Sequence, residues 1–472
     1  MSTQKISAQR LGKALAAHGI DVKREGQIIR VARRDAREIQ AEILLPESLP
    51  LELKAVQQLL NFAAIRHPHG GEVCRACATP DFHPGSDIPV GSVLLTSPDM
   101  IVPQAIGTDI NCGMRLHVLD LDLEQFLAGK ARLTELLKND LLHGARNLPT
   151  TPEAMTALFK HGLAAFWQVM RKTPEGLFAE LDFDQVVAEC ARLHPSATVA
   201  GLADYAPPSL QDRRRGKLRD PGLASLGGGN HFCEFQVIDQ VYCGQRAWDW
   251  GVRKGQIALM LHTGSRDVGF FVGQRWMDKA KAAWPAGLKH PASGLYALTG
   301  DLVDDYLGAM HAAAHYADAN RALIAELVRK RIRQVYGDQA MPLVYDLPHN
   351  IVLREAEGNL HRKGATPAHD GQPLLIPGSM GDHSFLLEGL GHAGWLNSAS
   401  HGAGRAVARQ QMKRRAAAES ALVFECISLR EERKVEEAPS AYKPIGPVIE
   451  VQEEQGLLRK VARLAPLMTF KA

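Results

Sequence analysis

With 472 residues, 45% hydrophobic and 23% charged, the chain has the composition of a soluble globular protein with room for one to three domains. No apolar run approaches the roughly 20 residues that span a bilayer, and MSTQKISAQRLGKAL lacks the apolar core of a secretory signal, so no membrane association and a cytoplasmic location are expected. A net charge of +3 permits an anionic partner without demanding one, and seven scattered cysteines lack the pattern of a disulfide framework.

Residues 1–66 read as a helix-strand-helix preface, with a short helix over 7–18 and a second around Leu51–Phe62, where Leu53, Val56, Leu59 and Leu60 recur at helical spacing. No Pro-, Ser- or Gly-rich linker comes after it, so the preface is expected to pack on a main domain spanning 67–472. From His67 onward, glycine- and proline-punctuated apolar runs predict strands joined by tight loops: ATPDFHPGSDIPVGSVLLT, then MIVPQAIGTDINCGMRLHVLDLD. Residues 122–200 read as mostly helical, and SLGGGNHFCEFQVID returns to strand. A long helix is predicted over Asp301–Tyr336, with Ile324, Val328, Ile332 and Val335 on one face and Gly337 as its stop. Three strand-loop segments complete the chain's chemistry-bearing part: LVYDLPHNIVL, PLLIPGSMGDHSFLLEG and SASHGAGR.

Polar residues with ligand chemistry recur where these strands meet loops. They are Asp109 and Cys112 in one tight loop, His231 after a glycine run, His262 ending an apolar strand, and His349 opening another. An Asp, a Cys and three His suit a divalent ion of borderline softness such as Mn²⁺, Zn²⁺ or Co²⁺, and ligands drawn from separate loops suit an open, catalytic site. In Ser398–Arg405 a histidine, His401, precedes Gly402, Ala403 and Gly404, small residues that let backbone approach a phosphate, and then the cation Arg405. His67-x-His69 with Cys74-x-x-Cys77 has the spacing of a small zinc site, but these residues read better as the lead into a strand. There is no phosphate-binding G-x-x-x-x-G-K-[ST] loop, no Lys-x-Asp-Gly and no G-x-S-x-G elbow, so any nucleotide chemistry takes an unusual route.

The ordered series PDFHPG, GTDINCGM, GGGNHF, HTGSR, PHN, PGSMG and SASHGAGR resembles the RtcB family of RNA ligases, from about Pro80 to Lys471. The resemblance implies a single α+β domain with mixed β-sheets around a central metal cleft and peripheral helices. It implies a GTP- and Mn²⁺-dependent ligase joining RNA ends with a 3′-phosphate or 2′,3′-cyclic phosphate to a 5′-hydroxyl, in tRNA splicing or RNA repair. Carried over by motif, His401 is the nucleophile that takes GMP as a phosphoramidate. Asp109, Cys112, His231, His262 and His349 are the ligands of two Mn²⁺ ions, bridged by Cys112. The GTP site takes in Asn230, His231, Phe232, Cys233, Glu234, His349, Asn350, Pro377, Gly378, Ser379, Met380, Ser384, His401, Gly402, Ala403, Gly404 and Lys471, with Tyr442 near the guanine. RNA is expected to lie over Arg405, Arg409, Lys413, Arg414 and Arg415, with Arg213–Arg215 a second basic cluster. Some relatives use an activating accessory protein, and a monomer is the default expectation. Asn111 replaces a glycine usual in the family, and asparagine tolerates positive φ well enough to keep that loop's shape.

Two rival readings are a metal-dependent RNA-end phosphoesterase, which would survive loss of His401, and a non-catalytic RNA-binding paralogue. Retention of every ligand, the histidine and the terminal lysine argues against the second.

Overall fold

The computed structural model describes residues 11–407, 411–412 and 425–472; Arg409, Lys413–Arg415 and the start of the 7–18 helix lie outside the described residues. Among the described residues, two large mixed sheets, two two-stranded pairs and a layer of helices make up an α+β unit. The first sheet has seven strands, in the order Ile20–Glu25, Ile28–Arg33, Gln40–Leu44, Val73–His83, Val90–Thr96, Gly358–Lys363, Asn350–Glu355. The preface therefore carries three strands where the sequence reading placed one. They continue the main sheet, because Gln40–Leu44 pairs parallel to Val73–His83. The helix read around Leu51–Phe62 spans Leu53–Ala63 and buries Val56, Leu59, Leu60 and Phe62 beneath that sheet.

The second sheet runs Leu343–Pro348, Gly113–Leu119, Ile257–Thr263, Phe232–Val241, Leu458–Phe470, Ser384–Gly389, Pro373–Ile376, with Cys426–Ile427 added parallel to Leu458–Phe470. Its register sets the ends of four strands side by side. Met114 and Phe232 both pair with His262, and Gly113 pairs with Pro348. Adjacent strands lie about 4.8 Å apart, so this register draws residues 112, 231, 262 and 349 into one row across four neighbouring strands. His349 stands between Leu343–Pro348 of the second sheet and Asn350–Glu355 of the first, at the crossing from one to the other.

Helices cover the second sheet. The segment read as helical over 122–200 contains Leu123–Leu137, Pro152–His161, Leu163–Met170 and Phe183–Glu189. The long helix spans Asp301–Tyr336 as read, about 54 Å at 1.5 Å per residue, with Gly300 and Gly337 at its ends, both at positive φ. Nearly every residue from Val303 to Arg329 is buried, so its face is not the single stripe of a surface helix; it runs through the largest hydrophobic cluster. It also carries charge inward. Arg321, wholly buried, pairs with Asp346 and Asp318 and donates to the carbonyls of Asn111 at 2.8 Å and Thr263 at 3.1 Å. One buried guanidinium thus braces the backbone of two loops at the end of the second sheet.

Candidate metal and nucleotide site

Asn111 shows how the first of those loops keeps its shape. Its φ is +53°, the left-handed region expected of it. Its side chain does what a glycine cannot: Nδ2 donates to Ala314 O at 2.7 Å and Asp318 Oδ1 at 2.8 Å, tying the loop to the long helix. Asn350 holds the same loop from the other side, with Nδ2 donating to Asp109 O at 3.1 Å and Oδ1 accepting from Gly364 N at 2.9 Å.

The loop presents Cys112 to two histidines. Its Sγ lies 3.2 Å from His231 Nε2 and 3.2 Å from His262 Nε2, and their ligand atoms all fall within 4.8 Å of one another, buried. Asp109 Oδ2 is 2.9 Å from His231 Nε2, and His262 Nε2 is 3.2 Å from His349 Nε2. His231 is oriented by its other nitrogen, Nδ1, which meets Leu226 O at 2.9 Å, leaving Nε2 to face the cluster. Burial pushes His262 and His349 well below the ordinary imidazole range, and the neighbouring His231 and His401 add to the shift. Neutral imidazole nitrogens turned toward one another, a thiol and a carboxylate have few protons to share and many lone pairs. That is the donor chemistry of a divalent cation site, and the five residues read from sequence are the ones brought together.

The His67, His69, Cys74 and Cys77 set does not converge. Three residues apart on the strand Val73–His83, Cys74 is exposed while Cys77 is buried against Val93 and Leu95, and His67 packs edge-on to Trp284.

His401 lies next to the cluster, its ring centroid 4.7 Å from that of His349. It comes directly after the short strand Ser398–Ser400, which pairs with Ala365–Pro367. Its Nδ1 meets Asp81 Oδ2 at 2.6 Å, and its backbone N–H donates to the same oxygen at 3.3 Å. Thr79 Oγ1 donates to the other oxygen of Asp81 at 2.6 Å. Burial acts to raise the Asp81 pKa, but the hydrogen bond and charge of His401 outweigh it and hold the carboxyl below its ordinary value. A carboxylate on Nδ1 keeps the ring proton there and directs the lone pair of Nε2 outward. Asp81 lies within the PDFHPG motif, yet the sequence reading gave it no role; an acid preceding a motif histidine was the available signal. The same segment supplies His83, whose Nδ1 meets Asp81 O at 2.7 Å and which burial pushes down to about 4.

Outside His401 opens a cavity of about 530 Å³. Asn230, Phe232, Glu234, Pro377–Met380, His401–Gly404, Tyr442 and Lys471 line it, with His83 and Arg405. Five residues placed in the nucleotide set lie off the lining, and two of them, His231 and His349, belong to the cluster around Cys112. Cys233 turns the opposite way from Phe232 and Glu234 and is wholly buried in the main hydrophobic cluster, as strand alternation requires. Ser384 stands behind the wall, its Oγ accepting from Gln236 Nε2 at 2.9 Å, and Asn350 serves the Asp109 loop. Arg405 is also engaged within the protein. It pairs with Glu437 at 3.1 Å, donates to Tyr442 Oη at 3.2 Å and lies 5.0 Å over the Tyr442 ring, fixing one wall. Arg213–Arg215 are exposed, and Arg214 pairs with Asp212.

Glu234 faces the cavity from a buried position, accepting from Thr469 Oγ1 and Gln236 Nε2. Burial pushes it up to about 7 against those hydrogen bonds and the charge of Lys471. Between its unfolded value of 4.5 and 7 the folded state keeps a proton that the unfolded chain has released, so Glu234 subtracts stability as pH rises through that window. Glu234→Gln is expected to raise the unfolding free energy at pH 8 by up to about 3 kcal/mol and to leave it nearly unchanged at pH 4, measured by urea unfolding.

A family model described as tRNA-splicing ligase RtcB matches residues 58–472. Similar proteins include the RNA-splicing ligase RtcB of Mycobacterium tuberculosis, 33% identical over 457 residues that cover 88% of this chain and 100% of the relative. The tRNA-splicing ligase RtcB of Archaeoglobus fulgidus is 31% identical over 468 residues, 89% of this chain and 92% of the relative. That of Methanococcus maripaludis is 30% identical over 484 residues, 93% and 96%.

Proposed function

Because this chain belongs to the RtcB family, we propose that it is a GTP-dependent RNA ligase that joins 3′-phosphate or 2′,3′-cyclic phosphate ends to 5′-hydroxyl ends through a His401–GMP intermediate. The observation that carries the proposal is the Asp81–His401 pair, with Nδ1 occupied and the ring set between the ligand cluster and the cavity.

Asp109, Cys112, His231, His262 and His349 would hold divalent ions, Mn²⁺ by family resemblance. When bound, such ions neutralise charge on a triphosphate and orient its leaving group. His401 Nε2 attacks the α-phosphorus of GTP, the N–P bond forms as the bond to pyrophosphate breaks, and the Nδ1 proton stays against Asp81. A neutral imidazole is a competent nucleophile, whereas a lysine must first be deprotonated. Gly402–Gly404 leave room for the phosphate, and Glu234 with Lys471 faces the base, where an ionised Glu234 accepts from the N–H edge of guanine and disfavours adenine. A cyclic phosphate end is hydrolysed to a 3′-phosphate. GMP then passes from His401 to that phosphate, and the 5′-hydroxyl displaces GMP as the new phosphodiester forms. RNA ends such as those of tRNA halves or cleaved RNAs are the substrates. Among the described residues no helix is long and apolar enough to cross a membrane.

Incubation with GTP and Mn²⁺ followed by intact-mass measurement tests the proposal. The expected result is an acid-labile gain of one GMP that His401→Ala lacks. No adduct with any divalent metal, together with phosphate release that survives His401→Ala, would establish the phosphoesterase reading instead.

A further inference from the structure

The two halves of the Asp81–His401 pair are 320 residues apart in the chain, and Lys443 touches the segments that carry both. It is 1% exposed. Its Nζ donates to Pro80 O at 3.1 Å and Phe82 O at 2.6 Å, the carbonyls on either side of Asp81. Its backbone N–H donates to Gly404 O at 2.9 Å, in the loop that begins with His401. Gly404 in turn lies so close to Asp81 that a Cβ there would collide with the Asp81 carbonyl. Strand and loop are therefore in backbone contact, and this one lysine is hydrogen-bonded to each of them.

The charge itself needs a reason. A buried ammonium bonded to carbonyls costs desolvation energy that an alkyl side chain of similar length would avoid. Burial pushes Lys443 down to about 8, with Asp81 and Glu52 pulling the other way, and the third titratable neighbour is His83. What an alkyl group cannot do is satisfy two buried carbonyls pointing to one spot. Left unpaired, they would be expected to rotate the Pro80–Phe82 backbone and carry the Asp81 side chain with it.

We propose that Lys443 is a positioning residue for guanylyl transfer, setting Asp81 against His401 so that Nδ1 keeps the proton and Nε2 stays available. This rests on His401 being the nucleophile. The side-chain hydrogen bonds of Lys443 go to the carbonyls of Pro80 and Phe82, neither of which lines the cavity or belongs to the ligand cluster, so they act on the reaction through the pair.

Single-turnover adduct formation at saturating GTP tests this, with circular dichroism of each variant. Lys443→Met is expected to slow the step about 100-fold while GTP affinity stays within about twofold, since misplacement of a reacting group costs rate rather than binding. Introduced into Asp81→Asn, the same change should cost less than about threefold more, because the interaction it supports is already gone. Lys443→Gln, which keeps two N–H donors, should recover part of the rate. An unchanged rate in Lys443→Met, a loss explained by GTP affinity, or the full loss repeated in Asp81→Asn would each overturn the proposal. Failure of both lysine variants to fold would also overturn it, by making the clamp a requirement of the fold. Wild-type protein assayed alongside separates the two ideas: no adduct there refutes the nucleophile, whereas a wild-type adduct with an unaffected Lys443→Met refutes this inference alone.

Discussion

Asp81→Asn is expected to slow guanylylation of His401 by on the order of 10³-fold or more while leaving the protein folded and GTP bound. The substitution keeps shape and removes charge. Asp81 is wholly buried, and its two oxygens accept from Thr79, from the His401 backbone and from the imidazole. An asparagine offers one accepting oxygen. If its NH₂ turns to His401, Nδ1 must lose its proton, and the proton moves to Nε2, the atom proposed to attack. If its oxygen stays on His401, the pair loses the negative charge that stabilises the ring as it becomes cationic in the intermediate. Either arrangement costs rate at the same atom. The measurement is adduct formation by mass at saturating GTP, and a rate within about threefold of wild type would remove Asp81 from the reaction. Acid should mimic the mutation only at low pH. The folded pKa of Asp81 is lowered, so its stabilising contribution is present above the ordinary carboxylate value of 3.8 and is lost as pH falls through the lowered one.

Cys112→Ala is expected to weaken Mn²⁺ binding by about 100-fold or more, and adduct formation with it. Its sulfur lies between two imidazoles, 3.2 Å from the Nε2 of each. Removing it leaves His231 held to Asp109 and Leu226 O, and His262 facing His349, so the cluster loses the group that joins its two sides. Folding should not suffer in metal-free buffer, because the loop is held independently by Asn111, Asn350 and Arg321. Equilibrium dialysis with Mn²⁺ and thermal unfolding in chelator check the two halves of the expectation. Unchanged Mn²⁺ binding would show that the ion sits elsewhere. Loss of stability in chelator would make Cys112 a packing residue.

What the sequence determined by itself was local chemistry and local periodicity. The long helix was readable to its last turn because apolar spacing and the Gly337 beyond it are near-neighbour effects. Asp109, Cys112, His231, His262, His349 and His401 could be singled out as candidates because each is a reactive side chain set where a strand meets a loop. The preface was misread in part, since short amphipathic strands such as Ile20–Glu25 and Ile28–Arg33 resemble loop until a neighbour pairs with them.

Only the tertiary structure decided what met what. The pairing of Met114 and Phe232 with His262 aligned the candidate ligands, and no residue in those strands specifies that register alone. Strand direction turned Cys233 into the core while Glu234 faced the cavity, and the Glu437 carboxylate engaged Arg405. The partner of His401 was likewise decided by contact between a strand and a loop 320 residues apart. Side-chain identity travels with the sequence, but register and long-range contact arise from burying two sheets and a helix layer together. That packing is where a set of suitable residues became a site.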